Sequence, residues 1–203
     1  MPIELWTARM ERPLSDSERD AIMPLLPPAR RERLLRAEGT EKQREPLCAY
    51  LILCLALRQK CGWKSLPEVA LSRLGKPYFP GHPDVHFNIS HSSGAVLVGV
   101  SDQELGVDIE RIRPVGQRMM VRMAHVSTEE AFFKSWVRRE ARAKRTGTEV
   151  GGALRREPPP VPEEAYHPLD LFPGYAAGAA CSAGETLAPL RRHPLEELLE
   201  GLL

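Results

Sequence analysis

Apolar and polar positions along the chain change period several times, and each change marks an element. Between Val85 and Glu110 the sequence reads VHFNISHSSGAVLVGVSDQELGVDIE. Phe87 and Ile89 alternate with Asn88 and Ser90, the period of a half-buried strand. His91-Ser92-Ser93-Gly94 is a turn signal, and Ala95–Val100 follows as a nearly unbroken apolar run, which predicts a buried strand. Gly106 to Glu110 alternates again, so Val107 and Ile109 share one face and Asp108 and Glu110 the other. From Thr128 to about Thr146 the grammar is helical, with Ser127 and Glu130 spaced as a capping box and Gly147 just past the last turn. Trp136, Glu140 and Lys144 step by four and share one helix face. Leu47–Leu57, LCAYLILCLAL, is the most hydrophobic segment. It falls well short of the roughly 20 residues of a membrane span and predicts a core helix, with Pro46 in its first turn and Gly62 past its end. Val115–Ala124 has helical content, Tyr175–Cys181 predicts a small-residue strand, and Pro194–Leu203 predicts a terminal helix. Glu149–Glu164 reads as loop, because Pro158, Pro159, Pro160 and Pro162 interrupt any regular element, and a reduced sheet is expected in this part of the chain.

Composition narrows the function classes. At 203 residues the chain is long enough for one domain or two tightly packed halves. A net charge of +1 argues against wholesale nucleic-acid binding. The cations are nevertheless clustered, with Arg30, Arg31, Arg33, Arg36 and Arg44 in one segment and Arg138, Arg139, Arg142, Lys144 and Arg145 in another. Part of each cluster is ordinary solvated surface; the rest suits a polyphosphate pocket and attraction to an acidic partner helix. Cys48, Cys54, Cys61 and Cys181 show no paired metal spacing and read as free, mostly buried thiols. No basic stretch leading into an apolar core opens the chain, so a cytoplasmic protein is expected.

Three groups carry candidate chemistry. Asp108 and Glu110 present two carboxylates to one side, which suits Mg²⁺, an ion that takes one or two protein carboxylates and completes its shell with water and phosphate oxygens. The same pair, taken alone, also describes a solvated strand face. His91 sits at a strand end among hydroxyls and can donate to phosphate oxygens, or it is a turn histidine bonded to backbone. Trp136, Glu140 and Lys144 stack an aromatic, an acid and a base on one helix face, and taken alone the pair is an i,i+4 surface contact worth about 0.3–0.5 kcal/mol beside a half-buried tryptophan.

Taken in order, Gly75-Lys76-Pro77, His86-Phe-Asn-Ile-Ser-His-Ser92, Gly106-Val-Asp-Ile-Glu110 and Trp136-x-x-Arg139-Glu140-Ala-x-x-Lys144 resemble the signature set of the 4′-phosphopantetheinyl transferases. The match is to the surfactin-synthetase-activating type, a monomer of two similar halves. Arg12-Pro-Leu-Ser15, the run Arg30 to Arg33, and Arg44 are similar to the family's opening, so the resemblance runs from about residue 10 to 147 and thins to Pro173-Gly-Tyr175.

The resemblance implies an α+β fold of two similar halves, 1–103 and 104–203, related by a pseudo-two-fold axis with the ligand cleft between them; no internal repeat is visible in the sequence itself. It implies Mg²⁺-dependent transfer of the 4′-phosphopantetheine group of coenzyme A to a serine of an apo acyl or peptidyl carrier protein, releasing 3′,5′-ADP. Asp108 and Glu110 would hold Mg²⁺, with Glu129 the third acid and Glu130 its neighbour and rival. Glu140 would be the general base and Lys144 would meet the pyrophosphate. Arg30, Arg33, Arg44, Ser90 and His91 would grip coenzyme A phosphates, and Lys76 with Pro77 would lie against the adenine end. Trp136 is expected in the core near the site. The implied partners are coenzyme A and the carrier protein, with neither nucleic acid nor membrane. Replacing Asp108 by alanine should then stop turnover and leave the fold intact.

The chain departs from the family in carrying Arg139 where lysine is usual and in a shorter connection from Glu110 to Trp136, the region that helps receive the carrier. Carrier preference therefore stays open. Two other readings compete: a coenzyme A or nucleotide binder that has lost catalysis, and a basic module for RNA or acidic proteins.

Overall fold

The computed structural model describes residues 2–36, 39, 41–148 and 161–200. In chain order the elements are β1 (Glu4–Arg9), α1 (Asp16–Ile22), a 3-10 turn (Met23–Leu25), α2 (Pro28–Leu35), α3 (Glu41–Cys61), β2 (Ala70–Leu71), β3 (Pro77–Tyr78), β4 (His86–Ser92), β5 (Ala95–Ser101), β6 (Gly106–Arg111), α4 (Gln117–Ala124), α5 (Glu129–Thr146), β7 (Glu164–Leu169), β8 (Tyr175–Ser182), β9 (Arg191–Arg192) and α6 (Leu195–Glu200). The fold is mixed α and β. One sheet has the order β4-β5-β1-β9, a second β6-β8-β7, and β2 and β3 form a short hairpin-like pair.

Strand β5 explains why the layers stack as they do. Every residue of Ala95–Ser101 is buried, and its two faces feed different cores. Val96, Val98 and Val100 join Trp6, Phe87, Leu47, Leu51 and Leu53 against α3. Ala95 and Leu97 face the other way, into a core shared with Val107, Ile109, Ala177 and Ala179 of the second sheet. The first sheet is thus sandwiched between α3 and the second sheet, as a continuously apolar strand requires.

On its far face the second sheet carries α5. A Cβ added at Gly106 would lie 2.0 Å from the Ala141 carbonyl oxygen and 2.4 Å from the Arg145 amide nitrogen, so the helix rests directly on strand backbone. The chain then returns: β9 pairs in parallel with β1 through Trp6 and Thr7, and Leu195 and Leu198 of α6 are buried in the first core.

Several expectations shift. The core helix begins at Glu41, so Pro46 lies in its second turn, where the Lys42 carbonyl loses its helical donor. Gly62 follows the helix in a left-handed conformation (φ 71°) as predicted. Strand β1 was not signalled by any motif, yet it lies between β5 and β9. Of the segment read as loop, residues 149–160 lie outside the described residues, and Glu164 already begins β7, which among the described residues pairs only with β8. That edge position is what accommodates Pro168. The four cysteines are free, and burial pushes the Cys48 thiol up to about 12 and those of Cys54 and Cys181 up to about 11. Among the described residues no helix is long and apolar enough to cross a membrane.

Candidate active site

The site begins at the seam between the sheets. Strand β6 presents three backbone N–H groups to β4, and side chains rather than carbonyls receive them. Asn88 Oδ1 accepts from Val107 (2.8 Å), Ser90 Oγ from Ile109 (3.3 Å) and Ser92 Oγ from Arg111 (3.2 Å). The two-residue period of both strands makes this ladder possible. Each serine then passes its own proton on, Ser90 Oγ to Asp108 Oδ1 (2.7 Å) and Ser92 Oγ to Glu110 Oε2 (2.8 Å). The seam that joins the sheets therefore also aims the two carboxylates.

Helix α5 completes the cluster. Lys144 Nζ donates to Asp108 Oδ1 (2.6 Å) and to Ser90 Oγ (3.0 Å), and Arg113 donates to Glu110 Oε2 (3.1 Å). Glu140, one turn before Lys144, is 5 % exposed. Burial, then the charge of Asp108, raise its carboxyl to about 7; Lys144 opposes the shift and Glu110 adds to it. Cross-strand from Asp108 stands Gly178, and a Cβ there would be 2.1 Å from the Tyr166 hydroxyl. Tyr166 thus fills the slot beside the carboxylate, and burial, reinforced by Asp108 and opposed by Arg138, pushes its phenol up to about 12.

Asp108 is 3 % exposed, and its Oδ2 is buried without a hydrogen-bond partner among the described residues. Such an orphaned anionic oxygen is costly unless something arrives to satisfy it. Among the described residues no three His, Cys, Asp or Glu side chains are already gathered as a metal site. The donor chemistry still fits a hard cation: a free carboxylate oxygen with the negative fields of Glu110 and Glu140 beside it. Asp108 is buried rather than facing solvent, so alanine there would strip partners from Ser90 and Lys144 and disturb the fold as well as the chemistry.

The other expected acids lie elsewhere. Thr128, with ψ 148°, is the N-cap of α5, and its hydroxyl accepts from the Ala131 amide, so the Ser127–Glu130 capping box does not form. Glu130 is exposed and pairs with Lys134 (2.6 Å). Glu129 opens the helix, about 16 Å of helical rise before Glu140. At the other end Gly147 takes the left-handed cap (φ 69°) as predicted. Arg139 donates to the Met123 carbonyl (2.6 Å) and braces α4. Trp136 is half-buried beside Phe132 in an apolar cluster under α4.

Next to the carboxylates a cavity of about 430 Å³ opens between α2, the β2–β3 loop and the end of α5. Arg30, Arg33, Lys76, Pro77, His91 and Lys144 all line it. Ser90 sits behind Lys144, and Arg44 lies beside the Gly94 turn. Lys76 Nζ donates to the Arg145 carbonyl, while its stem lies against Gly147; burial, helped by Arg145 and opposed by Glu104, lowers its ammonium. The loop is thereby tied to the end of α5. Sequence reasoning missed Glu45, Asn88 and Ser92. The alternation of Asn88, Ser90 and Ser92 on one strand face was a legible signal for the latter two; Glu45 had none.

No family model matches the chain. Over 113 residues it is 31% identical to a 4′-phosphopantetheinyl transferase of Bacillus subtilis, an alignment covering 55% of this chain and 50% of the relative. It is 33% identical over 114 residues to 4′-phosphopantetheinyl transferase Sfp of Bacillus subtilis strain 168, covering 56% and 51%. With the transferase AcpT of Escherichia coli K12 it shares 33% over 97 residues, covering 40% and 50%. The chain spans about half the length of the curated relatives it matches.

Proposed function

We propose, starting from the chain's membership of the 4′-phosphopantetheinyl transferase family and its surfactin-synthetase-activating type, that it moves the phosphopantetheine arm of coenzyme A onto a carrier-protein serine. The observation that carries the reading is the meeting of Asp108, Glu110 and Glu140 with Lys144, which itself lines a cavity walled by Arg30, Arg33, Lys76 and His91.

In this account Arg30, Arg33 and His91 hold the phosphate-bearing nucleotide end of coenzyme A, with Arg44 behind them and Lys76 and Pro77 against the adenine. Guanidinium forks suit that work because they bind phosphate through paired hydrogen bonds and stay charged. The pyrophosphate then reaches Lys144. The serine oxygen of the carrier attacks the phosphorus on the pantetheine side, and its proton passes to Glu140. The bond from that phosphorus to the bridging oxygen breaks, 3′,5′-ADP departs, and Lys144 offsets the charge left on it. Mg²⁺ held by Asp108 and Glu110 would supply charge neutralisation at the pyrophosphate. Glu140 is the acid whose field they share, whereas Glu129, the third acid the resemblance implies, opens α5 about three turns earlier. We read residues 1–103 and 104–203 as two similar halves about a pseudo-two-fold axis, with β9 and α6 laid back on the first. The protein would act as a cytoplasmic monomer. A coenzyme A binder without chemistry fits less well, because it has no use for Glu140 in that field.

Glu140→Gln tests the reading. Transfer at saturating substrates should fall about 10²–10⁴-fold, the usual contribution of a general base, while coenzyme A affinity stays within about twofold. Stability should also change with pH in the metal-free protein. The carboxyl titrates higher in the folded than in the unfolded chain, so the fold favours its neutral form, and stability falls as pH rises from 4.5 through about 7. The glutamine variant escapes this loss and should be more stable than the native protein at pH 8 by up to roughly 3 kcal/mol, with no such difference below pH 4.5. Lost binding with unchanged turnover per bound substrate would make Glu140 structural.

A further inference from the structure

His91 is held from behind by a residue that belongs to none of the motifs. Glu45, in the second turn of α3, places Oε2 2.9 Å from His91 Nδ1 and accepts at Oε1 from the Gly94 amide (2.6 Å). Both partners belong to the β4–β5 hairpin, on either side of Ser93, and the turn is tight, with Ser93 at φ 47° and Gly94 at φ 85°. One carboxylate therefore clamps both the strand end that bears His91 and the turn beyond it. Burial weighs most heavily against its charge, but the His91 and Gly94 hydrogen bonds, with Arg44 nearby, outweigh it and hold the carboxyl below its usual range.

An anionic acceptor at Nδ1 makes that nitrogen the donor, and the bond made by one ring nitrogen sets the role of the other. Nε2 is then the atom left for the cavity, whose wall His91 shares with Arg30 and Arg33. A phosphate oxygen only accepts, so the ring that meets one carries protons on both nitrogens, one given to Glu45 and one to the ligand. A carboxylate behind a histidine orients metal-binding imidazoles in the same way.

We propose that Glu45 is a positioning residue that fixes the orientation and tautomer of His91, so that Nε2 faces a phosphate monoester beside Arg30 and Arg33, and that it thereby sets a preference for coenzyme A over 3′-dephospho-coenzyme A. The preference rests on the transferase reading above. The placement of the ring does not.

The test uses the full chain and two variants, Glu45→Ala and Glu45→Gln, the second in case the first does not fold. Calorimetry with coenzyme A and with dephospho-coenzyme A should show Glu45→Ala weakening the first about tenfold, the scale of one charge-assisted hydrogen bond, and the second by less than about twofold. Glu45→Gln, which keeps one acceptor, should lose less. Equal losses on both ligands, or none, would overturn the proposal. Ring ¹⁵N shifts of His91 in the ligand-free native protein should report protonated Nδ1, and that preference should fade in Glu45→Gln. A neutral ring protonated at Nε2 would overturn the placement directly. If native protein fails to bind coenzyme A at all, the transferase reading falls with the selectivity built on it, and the ring tautomer judges the Glu45–His91 placement alone.

Discussion

Asp108→Asn is expected to cut transfer at saturating coenzyme A by ~10³-fold, about 4 kcal/mol of transition-state stabilisation, while thermal stability changes little. Asparagine keeps the shape of the side chain and an oxygen that Ser90 can still bond. What disappears is the charge that Lys144 meets at 2.6 Å and the orphaned anionic Oδ2. Lys144 retains some exposure, 22 % of its side chain, so its ammonium can hydrate and the cost to the fold should stay near 1 kcal/mol. Alanine is a poorer probe, because it leaves Ser90 and Lys144 without their acceptor in a buried setting, at roughly 1–3 kcal/mol. Steady-state kinetics should show the loss in kcat with coenzyme A affinity within about threefold. Near-native turnover in Asp108→Asn would remove the carboxylate from the reacting centre.

Gly106→Ala should be the most damaging glycine-to-alanine substitution among the described residues. Its new methyl would meet the Ala141 carbonyl oxygen at 2.0 Å and the Arg145 amide at 2.4 Å. Both are helix backbone, which no rotamer change can move aside. Overpacking of flexible side chains costs about 1–3 kcal/mol, and here α5 itself has to shift, so about 3 kcal/mol or more is expected, lowering Tm by roughly 6–12 °C. The same shift carries Glu140 and Lys144 away from Asp108, and displacement on the order of 1 Å can cost ~10²-fold in rate. Gly116→Ala is the control, since among the described residues nothing lies within 4 Å of its added methyl. Equal melting temperatures and rates for the native protein and Gly106→Ala would mean that α5 does not rest on β6.

The sequence made legible those features that local period and cap chemistry decide. Strands β4, β5 and β6 lie where alternation and the apolar run placed them, with Asp108 and Glu110 on one face opposite Val107 and Ile109. Gly147 and Gly62 end their helices as their lack of a Cβ suggests. The start of α5 slipped by one residue because Ser127 and Thr128 offer the same hydroxyl, and backbone geometry chose Thr128. Strand β7 was hidden because a proline inside EAYHPL argues against a strand everywhere except at a sheet edge. Long-range partnerships had no local signal at all. Glu45 meets His91 across 46 residues and Lys144 meets Asp108 across 36, and only the approach of α3 and α5 to the seam brings them together.

Intact-protein mass spectrometry of several apo carrier proteins, each incubated with this chain, coenzyme A and Mg²⁺ and with a chelator control, tests the central claim most directly. The account predicts a metal-dependent mass gain of one phosphopantetheine group on at least one carrier, absent with Asp108→Asn. No gain on any fatty-acid, polyketide or nonribosomal-peptide carrier, by protein that binds coenzyme A normally, would contradict it.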